Sequence, residues 1–160
     1  LSEYPPYFNM KNALSQSSAS LHDLRKATDL NEVEVELILR LIRYTRDDLC
    51  SMGDKFYLRS KELPNLTQFI TALKRVYKEL NAQTLWGLSK ELIRMDLVAK
   101  HVCTGLRLTI DDFSKLLERA QKVYPLIEVN SDGIGYEFLP FLSGVITPRN
   151  YRGCYLRLRM

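Results

Sequence analysis

This sequence has little of the residue chemistry on which most enzymes and metal sites depend. Its 160 residues include three cysteines and two histidines. Cys50, Cys103 and Cys154 are odd in number and far apart, which favours reduced thiols in an intracellular compartment over a disulfide framework. Because zinc takes four protein ligands, or three and a water, we expect no metal site.

Catalytic motifs are scarce as well. Neither His22 nor His101 lies in a nucleophile elbow or in a metal-binding helix pair. Gly133-Ile134-Gly135 falls in a predicted hairpin and lacks the helix that follows a dinucleotide-binding loop. Distant residues could still converge in space, but the sequence itself predicts a protein that is not an enzyme and needs no cofactor.

Long apolar runs are also missing. The longest, residues 138–146, is interrupted by Pro140, Ser143 and Gly144 and is far shorter than the roughly 20 residues of a membrane-spanning helix. We therefore expect no membrane interaction. With 46% hydrophobic and 26% charged residues, the chain has the composition of a folded protein with one medium domain or two small ones.

The sequence does contain a helix-turn-helix pattern followed by a hairpin, in residues 20–61. Apolar spacing predicts a short helix over 21–28, capped by Ser20, and a second helix over 32–45. Two alternating runs then flank Gly53-Asp54, a dipeptide typical of two-residue hairpins.

A comparable order of elements follows. Pro64 is expected to open a long amphipathic helix that reaches about Asn81. Further helical segments are predicted over 85–95, about 97–102 and 110–124. Strands over 126–129 and 136–139 then surround a turn-rich loop.

This order resembles the winged helix-turn-helix superfamily, over residues 20–61 and again over 65–140. The resemblance implies a mainly α fold with small β-hairpins, built as two winged-helix-like units. We therefore divide the chain into an N-terminal arm (1–19), a first unit (20–63), a second unit (64–142) and a basic C-terminal segment (143–160) that is expected to form a strand. Two prolines, Pro5 and Pro6, favour an extended arm.

The excess positive charge lies near the end of the chain. Residues 1–137 contain 19 basic and 19 acidic side chains, so the net charge of +4 comes from residues after Glu137. These cations and the aromatics between them are Arg149, Arg152, Arg157 and Arg159, with Tyr151 and Tyr155. Arginines and aromatics on an extended segment suit phosphate contact and base stacking. The alternative is an edge strand whose charges prevent pairing with another sheet.

Two other segments contain candidate nucleic-acid contacts. In the predicted wing, alternation places Lys55, Tyr57 and Arg59 on one face, although a merely solvated wing has the same pattern. In the long helix that follows Pro64, the polar face includes Lys74, Arg75 and Lys78. We expect these cations to support the basic segment in holding a nucleic-acid backbone.

The helix over 32–45 has too many apolar residues for one small core. On a helical wheel it has one narrow polar strip, and its acidic start disfavours contact with a phosphate lattice. Asp111 and Asp112 begin the helix over 110–124 in the same way, so conventional major-groove reading is disfavoured for both units. We expect the second apolar side of the helix over 32–45 to be covered by the other unit, by the N-terminal arm or by a separate protein. The predicted protein-docking residues are Val35, Leu39 and Ile42, with Phe138 and Phe141 as a second apolar group that could instead close the second core or meet another subunit.

Together these features predict a non-catalytic tandem winged-helix subunit of a DNA-associated complex. Units of this kind occur in assemblies for replication, telomere maintenance and transcription, and many of them dock proteins. We expect a protein partner, nucleic-acid backbone contact through the basic segment, room for dimerisation, and an intracellular location, nuclear in a eukaryote. The alternative is an autonomous transcriptional regulator that binds duplex DNA.

Overall fold

A computed structural model describes residues 4–82, 92–131, 138–139 and 153–159 of the chain. Within these residues, helices predominate and the strands are short and antiparallel, which confirms the predicted mainly α fold with small hairpins. None of the described helices is long and apolar enough to cross a membrane. The chain divides into two compact units, of which the first consists of residues 4–62 with Cys103–Thr109 and the second of the remaining described residues.

The first unit has three helices and a three-stranded sheet. In chain order its elements are α1 (Pro5–Gln16), β1 (Ala19–Ser20), α2 (Leu21–Thr28), α3 (Glu32–Thr45), β2 (Leu49–Met52) and β3 (Lys55–Leu58). The strand order is β1-β3-β2, with both pairs antiparallel. The predicted helix-turn-helix and hairpin are therefore confirmed.

Polar caps set the helix boundaries of this unit. Ser20 begins α2 with a reciprocal pair of hydrogen bonds to Asp23, and Asn31 begins α3 in the same way with Glu34. Each pair satisfies two backbone N–H groups that would otherwise have no partner at the start of a helix. The β2–β3 hairpin turns at Gly53, whose φ of 61° is a conformation that glycine adopts without steric cost.

The prediction of an extended conformation at Pro5 and Pro6, in the N-terminal arm, is wrong. Pro5 begins α1, because a proline in the first helical turn has no N–H bond to lose and its fixed φ suits a helix. Tyr7, Met10 and Leu14 follow at helical spacing and are buried in the first core. The arm is thus the first helix of the first unit.

The core of the first unit lies between α1, α2, α3 and the inner face of β3. Val35, Leu39 and Ile42 are among its most buried residues, at 0%, 6% and 0% exposure. Their prediction as docking residues is therefore wrong, since helix α1 contacts α3 and occupies part of the space that an external protein was expected to fill. Of the alternatives for the second side of α3, the N-terminal segment provides part of the cover.

The second unit repeats the order of the first. Its elements are α4 (Leu66–Ala82), β4 (Ile93–Arg94), α5 (Met95–Leu106, of which the last turn belongs to the first unit), α6 (Ile110–Val123), β5 (Ile127–Ser131), β6 (Phe138–Leu139) and β7 (Cys154–Leu158). The core joins α4 to α6, with the rings of Phe69 and Phe113 5.7 Å apart between centroids. The predicted segment over 85–95 lies partly outside the described residues, and Ile93–Arg94 is a strand rather than a helix.

The two sheets share one topology. In the first, β1 pairs with β3 and β3 with β2, and in the second, β4 pairs with β7 and β7 with β5. Strand β6 is an addition at the outer side of β5. The described parts of the two units therefore have the same arrangement of helix, strand, helix, helix and antiparallel sheet.

The described part of the C-terminal segment, residues 153–159, lies in the second unit. Strand β7 lies between β4 and β5, so it is an interior strand and not the edge strand that we considered. Cys154, Leu156 and Leu158 alternate into the core, at 1%, 0% and 5% exposure. Because these residues pack into the second core, strand β7 is part of that unit.

Candidate docking and nucleic-acid surfaces

The predicted wing surface is only partly available. Tyr57 is fully buried and its hydroxyl donates a hydrogen bond of 2.6 Å to the carbonyl of Leu108, so its prediction as a nucleic-acid contact is wrong. The reason is that β3 is the central strand of its sheet, with side chains buried on both faces. Arg59 is exposed and Lys55 is half-buried.

Lys55 is also engaged by an acid. Its Nζ lies 3.5 Å from a carboxylate oxygen of Asp23. Hydrogen bonds from the backbone and hydroxyl of Ser20, with a smaller effect of Lys55, hold the pKa of Asp23 below its usual value. The wing therefore presents less positive charge than its sequence suggested.

The basic segment is likewise paired within its own sheet. Glu128 on β5 lies directly opposite Arg157 on β7 and accepts a hydrogen bond from Arg157 Nε. Glu128 also forms an ion pair with Arg159, whose Nε lies 2.8 Å from the other carboxylate oxygen. The side chain of Arg157 is only 22% exposed, whereas that of Arg159 is 64% exposed. The guanidinium groups of Arg157 and Arg159 thus share the carboxylate of Glu128. Arg159 is the more accessible of these two cations.

Of the other residues predicted for nucleic-acid contact in that segment, only Tyr155 lies in the described part of the chain. Tyr155 is half-buried and pairs in register with Arg94 of β4. Arg149, Tyr151 and Arg152 lie outside the described residues. The side chain of Phe138 and the whole of Phe141, predicted as docking residues, also lie outside what the structure describes.

The cations of α4 are displayed more openly. Arg75 and Lys78 are exposed. Lys74 is half-buried, with its Nζ 4.5 Å from the centroid of the Tyr124 ring, just after the end of α6. This cation–π contact places Lys74 beside the C-terminal end of α6.

Helix α6 has an exposed basic stripe that the sequence-based prediction missed. Lys115, Arg119 and Lys122 are all exposed and follow one another at spacings of four and three residues. In the described part of the chain, Lys115 and Arg119 form no ion pair, while Lys122 lies 3.9 Å from Glu118. The spacing was visible in the sequence, but only the burial of the opposite face shows which side of α6 faces solvent.

Helix α3 has an exposed apolar stripe, formed by other residues than those predicted for docking. Val33, Leu37 and Tyr44 are 65%, 54% and 90% exposed. At 3.6 residues per turn they point within about 40° of each other, opposite the buried side of the helix. No described residue covers this stripe.

The corresponding helices of the two units differ mainly on this outer stripe. Both α3 and α6 have 14 residues, and each buries its fourth, seventh, eighth and eleventh residue. The buried positions are Val35, Ile38, Leu39 and Ile42 in α3, and Phe113, Leu116, Leu117 and Ala120 in α6. At the second, sixth and thirteenth positions, α3 has Val33, Leu37 and Tyr44 where α6 has Asp111, Lys115 and Lys122.

No cluster of three His, Cys, Asp or Glu side chains within the described ranges could hold a metal ion. The three cysteines form no disulfide. No family model matches the sequence, and searches of curated proteins and of solved structures also found no significant match.

Proposed function

We propose that this chain is a non-catalytic tandem winged-helix subunit of a DNA-associated complex, in which the first unit docks a protein and the second contacts a nucleic-acid backbone. The observation that supports this most strongly is the difference between α3 and α6. The two helices have the same length and place in the topology and bury the same four apolar positions, although α6 also buries Asp112. The outer side presents an apolar stripe in α3, whereas in α6 it presents Lys115, Arg119 and Lys122 after an initial Asp111. The outer residues of both helices lie outside the core, so they are the ones that are available for contact with a partner.

The chemistry of α6 and α4 suits phosphate. Lys115 and Arg119 are exposed and lack ion pairs among the described residues, and Lys122 continues the stripe. Lys74 is held beside the end of α6 by Tyr124. Exposed cations of this kind contribute to nucleic-acid affinity by displacing counterions from the phosphates, without a preference for base sequence.

The chemistry of α3 suits protein. Its first turns contain Glu32, Glu34 and Glu36, all exposed. These acids stabilise the start of the helix but repel phosphate, and the adjacent stripe is apolar. A helix of this character is better suited to another protein surface than to a DNA groove.

The test is oligonucleotide binding by fluorescence anisotropy over a salt series. Wild-type protein is expected to bind single-stranded and duplex oligonucleotides without sequence preference, and its affinity is expected to fall with salt. The Lys115→Ala, Arg119→Ala variant should lose two phosphate contacts, which on duplex DNA reduces the slope of log affinity against log salt by about 1.8.

The matched control changes two other exposed cations. Arg25→Ala, Lys26→Ala removes the same charge from α2 of the first unit and should leave the slope unchanged. Absence of binding at low salt, or equal losses in both double variants, would contradict a phosphate-binding surface on the second unit. Marked sequence preference would instead favour a transcriptional regulator.

A further inference from the structure

The outer face of α3 combines its apolar stripe with an ordered set of charges. On the side next to Val33, Leu37 and Tyr44 lie two acids in the first half of the helix and two cations in the second half. These four residues are Glu32, Glu36, Arg40 and Arg43. All are exposed, and none forms an ion pair within the part of the chain that the structure describes.

The charge order of this face is complementary to itself. When a second α3 lies antiparallel to the first, the acidic half of each helix meets the basic half of the other. A two-fold axis between Leu37 and Arg40 places Val33 opposite Tyr44 of the second copy. The same axis brings Glu36 near Arg40 of the second copy, and Glu32 near Arg43 of the second copy.

From this symmetry, we propose that a second copy of this chain docks on the outer face of α3, with the two α3 helices antiparallel across a two-fold axis. The proposal deepens the docking half of the proposed function and rests on it. It gives each of the four charges an opposite charge, and it covers the apolar stripe with the same stripe of the other copy, as an isologous interface requires.

A parallel helix pair or a nucleic acid would match the charges of this face less well than the antiparallel pair does. A parallel pair of α3 helices would bring the two acidic halves to one end of the interface and the two basic halves to the other, which is unfavourable at both ends. A nucleic acid would meet Glu32 and Glu36 with the wrong sign of charge. Because one helix pair buries little area compared with a standard interface, the dimer is expected to be weak and sensitive to salt.

Sedimentation velocity of the full chain without nucleic acid tests this proposal. Wild-type protein is expected to shift from monomer to dimer as its concentration rises at low salt, and to return to monomer at high salt. Leu37→Gln, which leaves every charge in place, should abolish the shift. Far-UV circular dichroism shows whether each variant retains its helices.

A charge exchange tests the orientation. Glu32→Arg, Glu36→Arg makes the face wholly basic, and Arg40→Glu, Arg43→Glu makes it wholly acidic, so each variant alone should remain monomeric. An equimolar mixture should form a heterodimer, because every contact is then between opposite charges. Recovery in the mixture also shows that the separate losses do not come from unfolding. As a control, Lys115→Glu, Arg119→Glu on α6 should dimerise like the wild-type protein.

The outcomes separate this inference from the proposed function. A wild-type chain that stays monomeric at every concentration would overturn the inference and assign the α3 face to a different protein. Dimers that persist in both charge variants would overturn it as well, since they must form elsewhere. Neither result affects nucleic-acid binding by the second unit, which fails only if the salt-series experiment on Lys115 and Arg119 fails.

Discussion

Two leucines of α3 offer a matched test of which side of this helix is covered. Leu39 is 6% exposed in the first core, and Leu37 is 54% exposed on the outer face. Leu39→Ala removes three buried carbons and leaves a cavity, which costs about 2–5 kcal/mol in free energy of unfolding. For Leu37→Ala, solvent already reaches half of the side chain and no cavity forms, so the cost is about 1 kcal/mol.

Both substitutions change the same residue type in the middle of the same helix, so their effects on helix propensity are equal. The difference of roughly 2 kcal/mol therefore measures burial alone. The assay is urea denaturation followed by far-UV circular dichroism, at a low protein concentration so that self-association does not contribute. Equal losses in the two variants, or a larger loss for Leu37→Ala, would refute the orientation of α3.

Two further predictions concern other parts of the first unit. Tyr57→Phe removes the buried hydrogen bond to the Leu108 carbonyl. We expect the free energy of unfolding, measured by urea denaturation, to fall by about 1–3 kcal/mol with no change in nucleic-acid affinity. An unchanged urea midpoint would show that this hydrogen bond does not stabilise the fold. Two N–H groups of Arg46 donate to Asp48 at 2.8 and 2.7 Å and hold the pKa of Asp48 below its usual value of 3.8. Because folding favours the ionised carboxylate, this contribution is complete above that value and disappears as the pH falls through the lowered native pKa. Asp48→Asn should therefore reduce the acid sensitivity of the thermal midpoint, and identical acid profiles for both proteins would contradict the ion pair.

Local signals in the sequence predicted most of the elements correctly. Ser20 marked the start of α2 because a short polar side chain can cap a helix, and Gly53 marked the hairpin because its backbone can adopt a positive φ. The ends of α3 and α6 followed from their apolar periodicity. Each of these signals depends on residues within one or two turns of each other, which is why they were visible without the structure.

Most of the errors concern which residues are covered by distant parts of the chain. Pro5 and Pro6 are compatible with an extended arm and with the first turn of a helix, and the burial of Tyr7, Met10 and Leu14 decides between them. For β3, alternation divides the side chains between two faces but does not show that both faces are covered.

Strand β7 illustrates the same limit for sheets. Its alternation was predicted, but its place between β4 and β5 depends on pairings with Ile93–Arg94 and Ile127–Ser131, which lie far away in the sequence. Glu128 could not be identified as the partner of Arg157 before this register was known. The predicted basic segment was therefore assigned more accessible charge than its described arginines have.

Under the proposed function, a few outer residues of α3 and α6 would determine which partner each unit contacts. A single exposed apolar side chain is ordinary on a protein surface, but Val33, Leu37 and Tyr44 form one continuous stripe. At 90% exposure, Tyr44 contributes little to the core, so the fold does not require an aromatic ring there. Helix α6 supports this reasoning, because it keeps the same four buried positions with a lysine at the place of Tyr44. Substitutions on the outer stripe of either helix should therefore change association and leave folding almost intact, whereas substitutions at the buried positions should unfold the unit.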